Sequence, residues 1–114
     1  MPREHNKLTE RQVNKRDRLL AEFLQQHKGT ERAVGRKEIA KFLTEHGYKQ
    51  KESTVNMLVK KVMFKRRLPI CEINSRGYYW AQSKKDFEDT ISDLEKRINS
   101  MTERIAFLKS FIFE

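Results

Sequence analysis

The chain has 114 residues, of which 25 are Lys or Arg and 16 are Asp or Glu, for a formal net charge of +9. That length holds one small domain and an appendage and excludes two full hydrophobic cores. No apolar run is long enough to cross a bilayer, and the single cysteine, Cys71, cannot form an internal disulfide, so packing alone must hold the fold and a reducing, cytoplasmic setting is expected.

The positive charge is unevenly placed. Residues 31–67 carry 11 basic and 4 acidic side chains, against 7 and 4 in residues 1–30, 1 and 1 in residues 68–82, and 6 and 7 in residues 83–114. A localised basic segment points to a polyanion, and nucleic acid is the commonest one. The plain alternative is a lysine-rich solvated surface.

Residues 1–8 are polar and charged, lack the apolar stretch of a signal peptide, and predict a flexible basic tail. From about Thr9 to near His27, ahead of Gly29, Val13, Leu20 and Leu24 share one helical stripe with Phe23 beside it. Ala33-Val34 is a candidate for one short strand. Arg36 to His46 predicts a second helix that buries Ile39, Phe42 and Leu43 and stops at Gly47 in the left-handed conformation. A third helix is expected from Lys51 or Glu52 to about Arg66, ended by Pro69, because proline drives the residue before it out of the helical region.

The third helix has an inside and an outside. Val55, Leu58, Val59 and Val62 recur at i, i+3, i+4, i+7, while Ser53, Asn56, Met57, Lys60 and Lys61 fall on the opposite face. Phe64 also falls there, where it does not suit a solvated helix. Two apolar-rich runs follow, Pro69-Ile70-Cys71-Glu72-Ile73 and Gly77-Tyr78-Tyr79-Trp80, separated by Asn74-Ser75-Arg76. They predict a β-hairpin in which Gly77 supplies the backbone freedom of a tight turn, Tyr78 and Trp80 point inward, and Tyr79 points out to solvent.

From residue 83 the pattern changes. Ser83-Lys84-Lys85-Asp86 has the spacing of an N-terminal capping box, with the shorter Asp in the Glu position. Isoleucine then occupies every a position of a heptad repeat (Ile91, Ile98, Ile105, Ile112), and Phe87, Leu94, Met101 and Leu108 occupy the d positions. Such a stripe is a coiled-coil seam, and β-branched a with mostly Leu-like d favours two parallel strands. The flanking charges do not support the parallel choice, since Arg104 at g would face Lys109 at the next e. At 1.5 Å per residue the helix would be roughly 45 Å long. The alternative is a helix folded back on its own domain. Phe107, Phe111 and Phe113 lie off the seam and call for contacts beyond one partner helix, which leaves a higher oligomer open.

The order of elements predicts a mainly α (α+β) chain: a winged helix-turn-helix domain over 9–82 with a small β-hairpin wing, then a C-terminal coiled-coil dimerisation helix over 83–114. Its third helix carries what a DNA-reading helix needs, short polar side chains near its start for base edges and cations for phosphates. Ser53, Thr54 and Asn56 fit the first role. Asn56 is the best candidate for base readout, since an amide bonds adenine bidentately. Arg36, Lys49, Lys51, Lys60 and Lys61 fit the second. Arg76 at the hairpin tip is placed to enter a minor groove. A solvated helix face remains the competing reading for each.

Lys37-Glu38-Ile39-Ala40-Lys41-Phe42-Leu43, Ser53-Thr54-Val55, Leu68-Pro69-Ile70-Cys71 and Gly77-Tyr78-Tyr79-Trp80 resemble the winged helix at the DNA-binding end of biotin operon repressors. They resemble even more the small winged-helix proteins of bacteriophages and prophages, in which a Gly-Tyr-Tyr strand is followed by a polar capping segment and a long terminal helix. The resemblance covers about residues 12–113 and rests on short motifs. It implies duplex DNA binding, often in transcriptional control or phage replication. One departure is that the family usually has a glycine just before the Pro-Ile pair, whereas this chain has Lys65-Arg66-Arg67-Leu68, whose extra cations are candidates for backbone contacts.

Catalysis is not expected. His5, His27 and His46 are scattered, the latter two in the last turns of their helices, where an imidazolium complements the dipole. No metal-ligand spacing, phosphate loop or nucleophile with a partner base is present, and no cofactor, small-molecule ligand or membrane partner is expected. The resulting expectation is a homodimeric, sequence-selective duplex DNA-binding protein, a phage or mobile-element transcriptional regulator or replication-initiation factor. Two rivals stand beside it: an accessory factor that binds nucleic acid without sequence preference, and a winged-helix module that docks on a host protein and inhibits it.

Overall fold

The computed structural model describes residues 7–73 and 77–113. The chain divides into two units, Met1–Gln82 and Ser83–Glu114. In the first unit, α1 (Glu10–Gln25), a short 3-10 turn (Thr30–Arg32), α2 (Arg36–Glu45) and α3 (Glu52–Arg66) precede the strands β1 (Ile70–Ile73) and β2 (Gly77–Trp80). The second unit is α4 (Lys84–Ile112). The described residues are thus mainly helical with one antiparallel hairpin, and none of their helices is long and apolar enough to cross a membrane.

Local chemistry sets the helix ends. At the start of α1 the Thr9 hydroxyl accepts from the Gln12 amide N–H (3.1 Å), and the Gln12 side-chain carbonyl accepts from the Thr9 N–H (2.8 Å). This reciprocal box satisfies two otherwise orphaned donors. The Glu38 carboxylate accepts from the Gly35 N–H (3.3 Å) at the start of α2. At the end of α2, Gly47 N–H donates to Thr44 O (3.1 Å) and Tyr48 N–H to Leu43 O (2.8 Å), with Gly47 at φ +93°. That is a Schellman closure, and it needs the left-handed residue that glycine provides without steric cost.

The third helix closes the same way without a glycine. Arg67 takes the left-handed conformation (φ 55°, ψ 56°), and Leu68 N–H donates to Met63 O at 3.0 Å. The expected role of Pro69 therefore needs correction: the chain has left the helix at Arg67, before the residue that proline restricts. A side chain in this conformation costs about 1–2 kcal/mol, partly offset by the extra entropy a glycine would lose. Arg67→Gly is expected to raise the stability of the first unit by about 0.5–1 kcal/mol, or roughly 2–6 °C in thermal melts. A lower melting temperature would mean that the Arg67 side chain contributes contacts of its own.

The core of this unit joins all three helices to the hairpin. Leu20 and Leu24 from α1, Ile39, Ala40 and Leu43 from α2, Val55, Leu58, Val59 and Val62 from α3, and Val34, Ile70 and Tyr78 form one buried cluster. Phe23, Phe42 and Trp80 pack at its edge, while Val13 is only half-buried. Strand β1 pairs with β2 in the register Ile70↔Trp80, Cys71↔Tyr79, Glu72↔Tyr78, Ile73↔Gly77. The other edge of β2 is also occupied. Val34 and Tyr78 exchange both backbone hydrogen bonds (2.7 and 2.8 Å), Trp80 N–H donates to His27 O (2.7 Å), and Gly29 N–H donates to Trp80 O (3.1 Å). The strand expected at Ala33-Val34 is thus a single antiparallel bridge at Val34.

Tyr79 is a second correction. It does point away from Tyr78 and Trp80, but it is only 1 % exposed, and its cross-strand neighbour Cys71 is equally buried. Alternation predicts a solvent side only where one face of a sheet is bare; here the hairpin is covered on both faces. Gly77 starts β2 at φ +116°, with the Val34 carbonyl oxygen 2.1 Å from where a β-carbon would lie.

In the second unit the Ser83 hydroxyl accepts from the Asp86 N–H (3.4 Å), which is the capping contact its spacing predicts. The first turns carry i,i+4 ion pairs, Lys84–Glu88 (3.7 Å) and Lys85–Asp89 (2.9 Å). The hydrogen bond to Asp89, with the carboxylate charge behind it, raises the pKa of the Lys85 ammonium above its ordinary value. No residue of α4 is buried, and its eight seam residues are 39–75 % exposed. Phe107 and Phe111 meet edge to face (centroids 5.1 Å apart).

Candidate nucleic-acid interface

Burying Val55, Leu58, Val59 and Val62 turns the opposite side of α3 outward. Ser53, Met57, Lys60 and Phe64 recur along it at helical spacing, flanked by Asn56 and Lys61, and all six are exposed. Arg36 is exposed at the first residue of α2, and Lys49 and Lys51 are exposed in the connection that leads into α3. From Ser53 to Arg66 the sequence of α3 holds no carboxylate. Arg76 lies outside the described residues.

Two of the expected base-reading residues also have duties within the fold. The Thr54 hydroxyl donates to Lys51 O (2.9 Å) and accepts from the Gln50 side-chain amide (2.6 Å). It is half-buried and closes the first turn of α3. The Asn56 side-chain carbonyl accepts from the Tyr78 hydroxyl at 2.6 Å. Tyr78 belongs to the core, so Asn56, itself exposed, ties the start of α3 to β2. Tyr78→Phe is expected to cost about 1 kcal/mol, the net worth of one such hydrogen bond. An unchanged chemical-denaturation midpoint would show that the contact contributes nothing.

The cations at the end of α3 are engaged elsewhere. Arg66 donates to Asn14 O (3.3 Å), and Lys65 lies 3.9 Å from Asp17. Asp17 is 3 % exposed on the stripe between Val13 and Leu20, and the Arg16 guanidinium donates to it at 3.1 Å. These contacts brace α3 against α1, so Lys65 and Arg66, which the sequence suggested for phosphate contacts, also join two helices. An apolar stripe with an Asp in its middle was the available signal for a buried ion pair. Sequence reasoning also passed over a second basic line. Arg11, Lys15 and Arg18 recur at i, i+4, i+7 along α1 and, with Glu10, Asn14 and Arg66, line an open cavity of about 410 Å³.

Both described histidines are held by backbone. His27 Nδ1 donates to Arg32 O and His46 Nδ1 to Phe42 O, each at 2.8 Å. Their rings flank a stacked Phe23–Phe42 pair (4.0 Å) across α1 and α2. Among the described residues no group of three or more His, Cys, Asp or Glu side chains is arranged to hold a metal ion. No protein-family model matches the chain, and neither a curated protein nor a solved structure matches it.

Proposed function

We propose that this chain is a winged helix-turn-helix protein that binds duplex DNA in a sequence-selective manner as a homodimer. Its role is that of a phage or mobile-element transcriptional regulator or a replication-initiation factor. The observation that carries this reading is the outward face of α3, which presents Ser53, Asn56, Lys60 and Lys61 without a carboxylate, on a helix anchored by four valine and leucine side chains. In this reading α3 enters the major groove and reads it through Ser53 and the amide of Asn56, while Lys49, Lys51, Lys60 and Lys61 hold phosphates. The hairpin is the wing. The coiled-coil seam of α4 joins two copies.

Selection of bound fragments from a random duplex pool, followed by footprinting near physiological ionic strength, tests the proposal. A protected motif with two-fold symmetry is expected. Equal affinity for selected and scrambled duplexes, with one steep salt slope, would replace it with non-specific binding. The reading as a module that docks on a host protein is favoured by one observation: Met57 and Phe64 are 67 % and 78 % exposed on the same face as the lysines. An absence of protection on every duplex would leave that reading in place of DNA binding.

A further inference from the structure

We propose that the exposed seam of α4 takes a second copy of this chain in the antiparallel sense. The inference rests on the dimer reading above and decides the orientation that reading leaves open. The observation is a charge division along the helix. Residues 84–95 carry 5 acidic and 2 basic side chains, and residues 96–113 carry 4 basic and 1 acidic. The helix dipole favours such signs only within the first and last turns. Here the division is carried into the middle of the helix, from Asp93 and Glu95 to Lys96 and Arg97. A parallel pair sets acidic half on acidic half and basic half on basic half. An antiparallel pair sets each acidic half on the partner's basic half.

The residue pairing agrees. In a parallel dimer each g residue faces the partner's following e residue, giving Ser83–Glu88, Thr90–Glu95, Arg97–Thr102 and Arg104–Lys109. That is one like-charge contact, made twice, and no opposite-charge pair. In the antiparallel arrangement a residues pack against d residues, and one register closes the whole seam. Ile91 meets Leu108, Ile98 meets Met101, Ile105 meets Leu94, and Ile112 meets Phe87, each from the other copy. The e flank then brings Glu88 to Lys109 twice. The g flank brings Arg97 toward Arg104, also twice, so the flank contacts cancel to first order, whereas the parallel pair has only its like-charge contacts. The attraction between whole halves then decides the sense.

Orientation changes what the dimer can do. In this register residue 84 of one copy lies 31 positions along the axis from residue 84 of the other, about 45 Å at 1.5 Å per residue. The two N-terminal units are therefore attached at opposite ends of the rod.

Charge exchange in the full chain tests the orientation. Glu88→Lys and Lys109→Glu are each expected to weaken dimerisation about tenfold in sedimentation equilibrium, and the double variant to return to within about threefold of the parent, because the pair is restored across the interface. Loss in the double variant equal to the product of the two single losses overturns the antiparallel arrangement. Cysteine cross-linking gives a second measurement. Chains with Phe87→Cys mixed with chains bearing Ile112→Cys are expected to form the mixed disulfide, and a self-disulfide of Phe87→Cys alone overturns the orientation. The seam itself is checked separately. Ile98→Asp is expected to halve the mass seen by light scattering, and an unchanged mass, or a monomeric parent, would sink the coiled-coil dimer rather than its direction.

Discussion

Gly77→Ala is expected to remove a large part of the stability of the N-terminal unit, about 4 kcal/mol or more. A β-carbon at this residue would lie 2.1 Å from the Val34 carbonyl oxygen, 2.6 Å from its carbonyl carbon and 2.7 Å from Gly35 Cα. All three are backbone atoms, so no side chain can rotate aside. Relief requires breaking the paired Val34–Tyr78 hydrogen bonds (2.7 and 2.8 Å), which hold the edge of β2 opposite β1. Two lost backbone bonds, added to a positive φ of 116°, cost on the order of 4 kcal/mol or more. A domain of this size has about 5–15 kcal/mol in total. Trp80, the single tryptophan, sits on β2 and reports the loss as a broadened fluorescence transition at lower temperature. Gly47→Ala is the control: its φ is +93° but its β-carbon would meet nothing within 4 Å, so it should cost only about 1 kcal/mol of conformational strain. A Gly77→Ala protein that melts like the Gly47→Ala protein would refute the close approach as the reason for glycine.

Lys60→Glu combined with Lys61→Glu is expected to lower duplex affinity by about a hundredfold or more near physiological salt, and to reduce the salt slope by about two for each chain. Both side chains are exposed, so the Trp80 melt should be nearly unchanged, which separates a binding defect from a folding one. Gel shift or fluorescence anisotropy at three salt concentrations provides the slope. Retained affinity would remove the outer face of α3 from the mechanism. Attention would then move to Arg11, Lys15, Arg18 and Arg66, the second basic line beside α1.

Much of this molecule could be read from residue pattern alone, because helices are local. The four-residue recurrence of valine and leucine placed the inner face of α3, and each of those residues is buried. Gly47 and Ser83 end and begin their helices as their chemistry requires. The even alternation of α4's apolar residues marked a stripe that its own unit leaves exposed. What pattern could not supply were contacts between segments distant in the chain. Gly77 was expected to serve a turn, yet its backbone approaches that of Val34, more than 40 residues earlier. Tyr79 was expected outside because alternation cannot tell how many faces of a hairpin are covered. Asn56, Lys65 and Arg66 looked like ligand-facing groups, and only the packing of α3 against β2 and α1 showed that each also bonds within the protein. Periodicity determines which face of an element is buried. Which backbone or polar group waits on the other side of that face is decided by the tertiary structure, because hydrogen bonds and close contacts depend on distance in space and not along the chain.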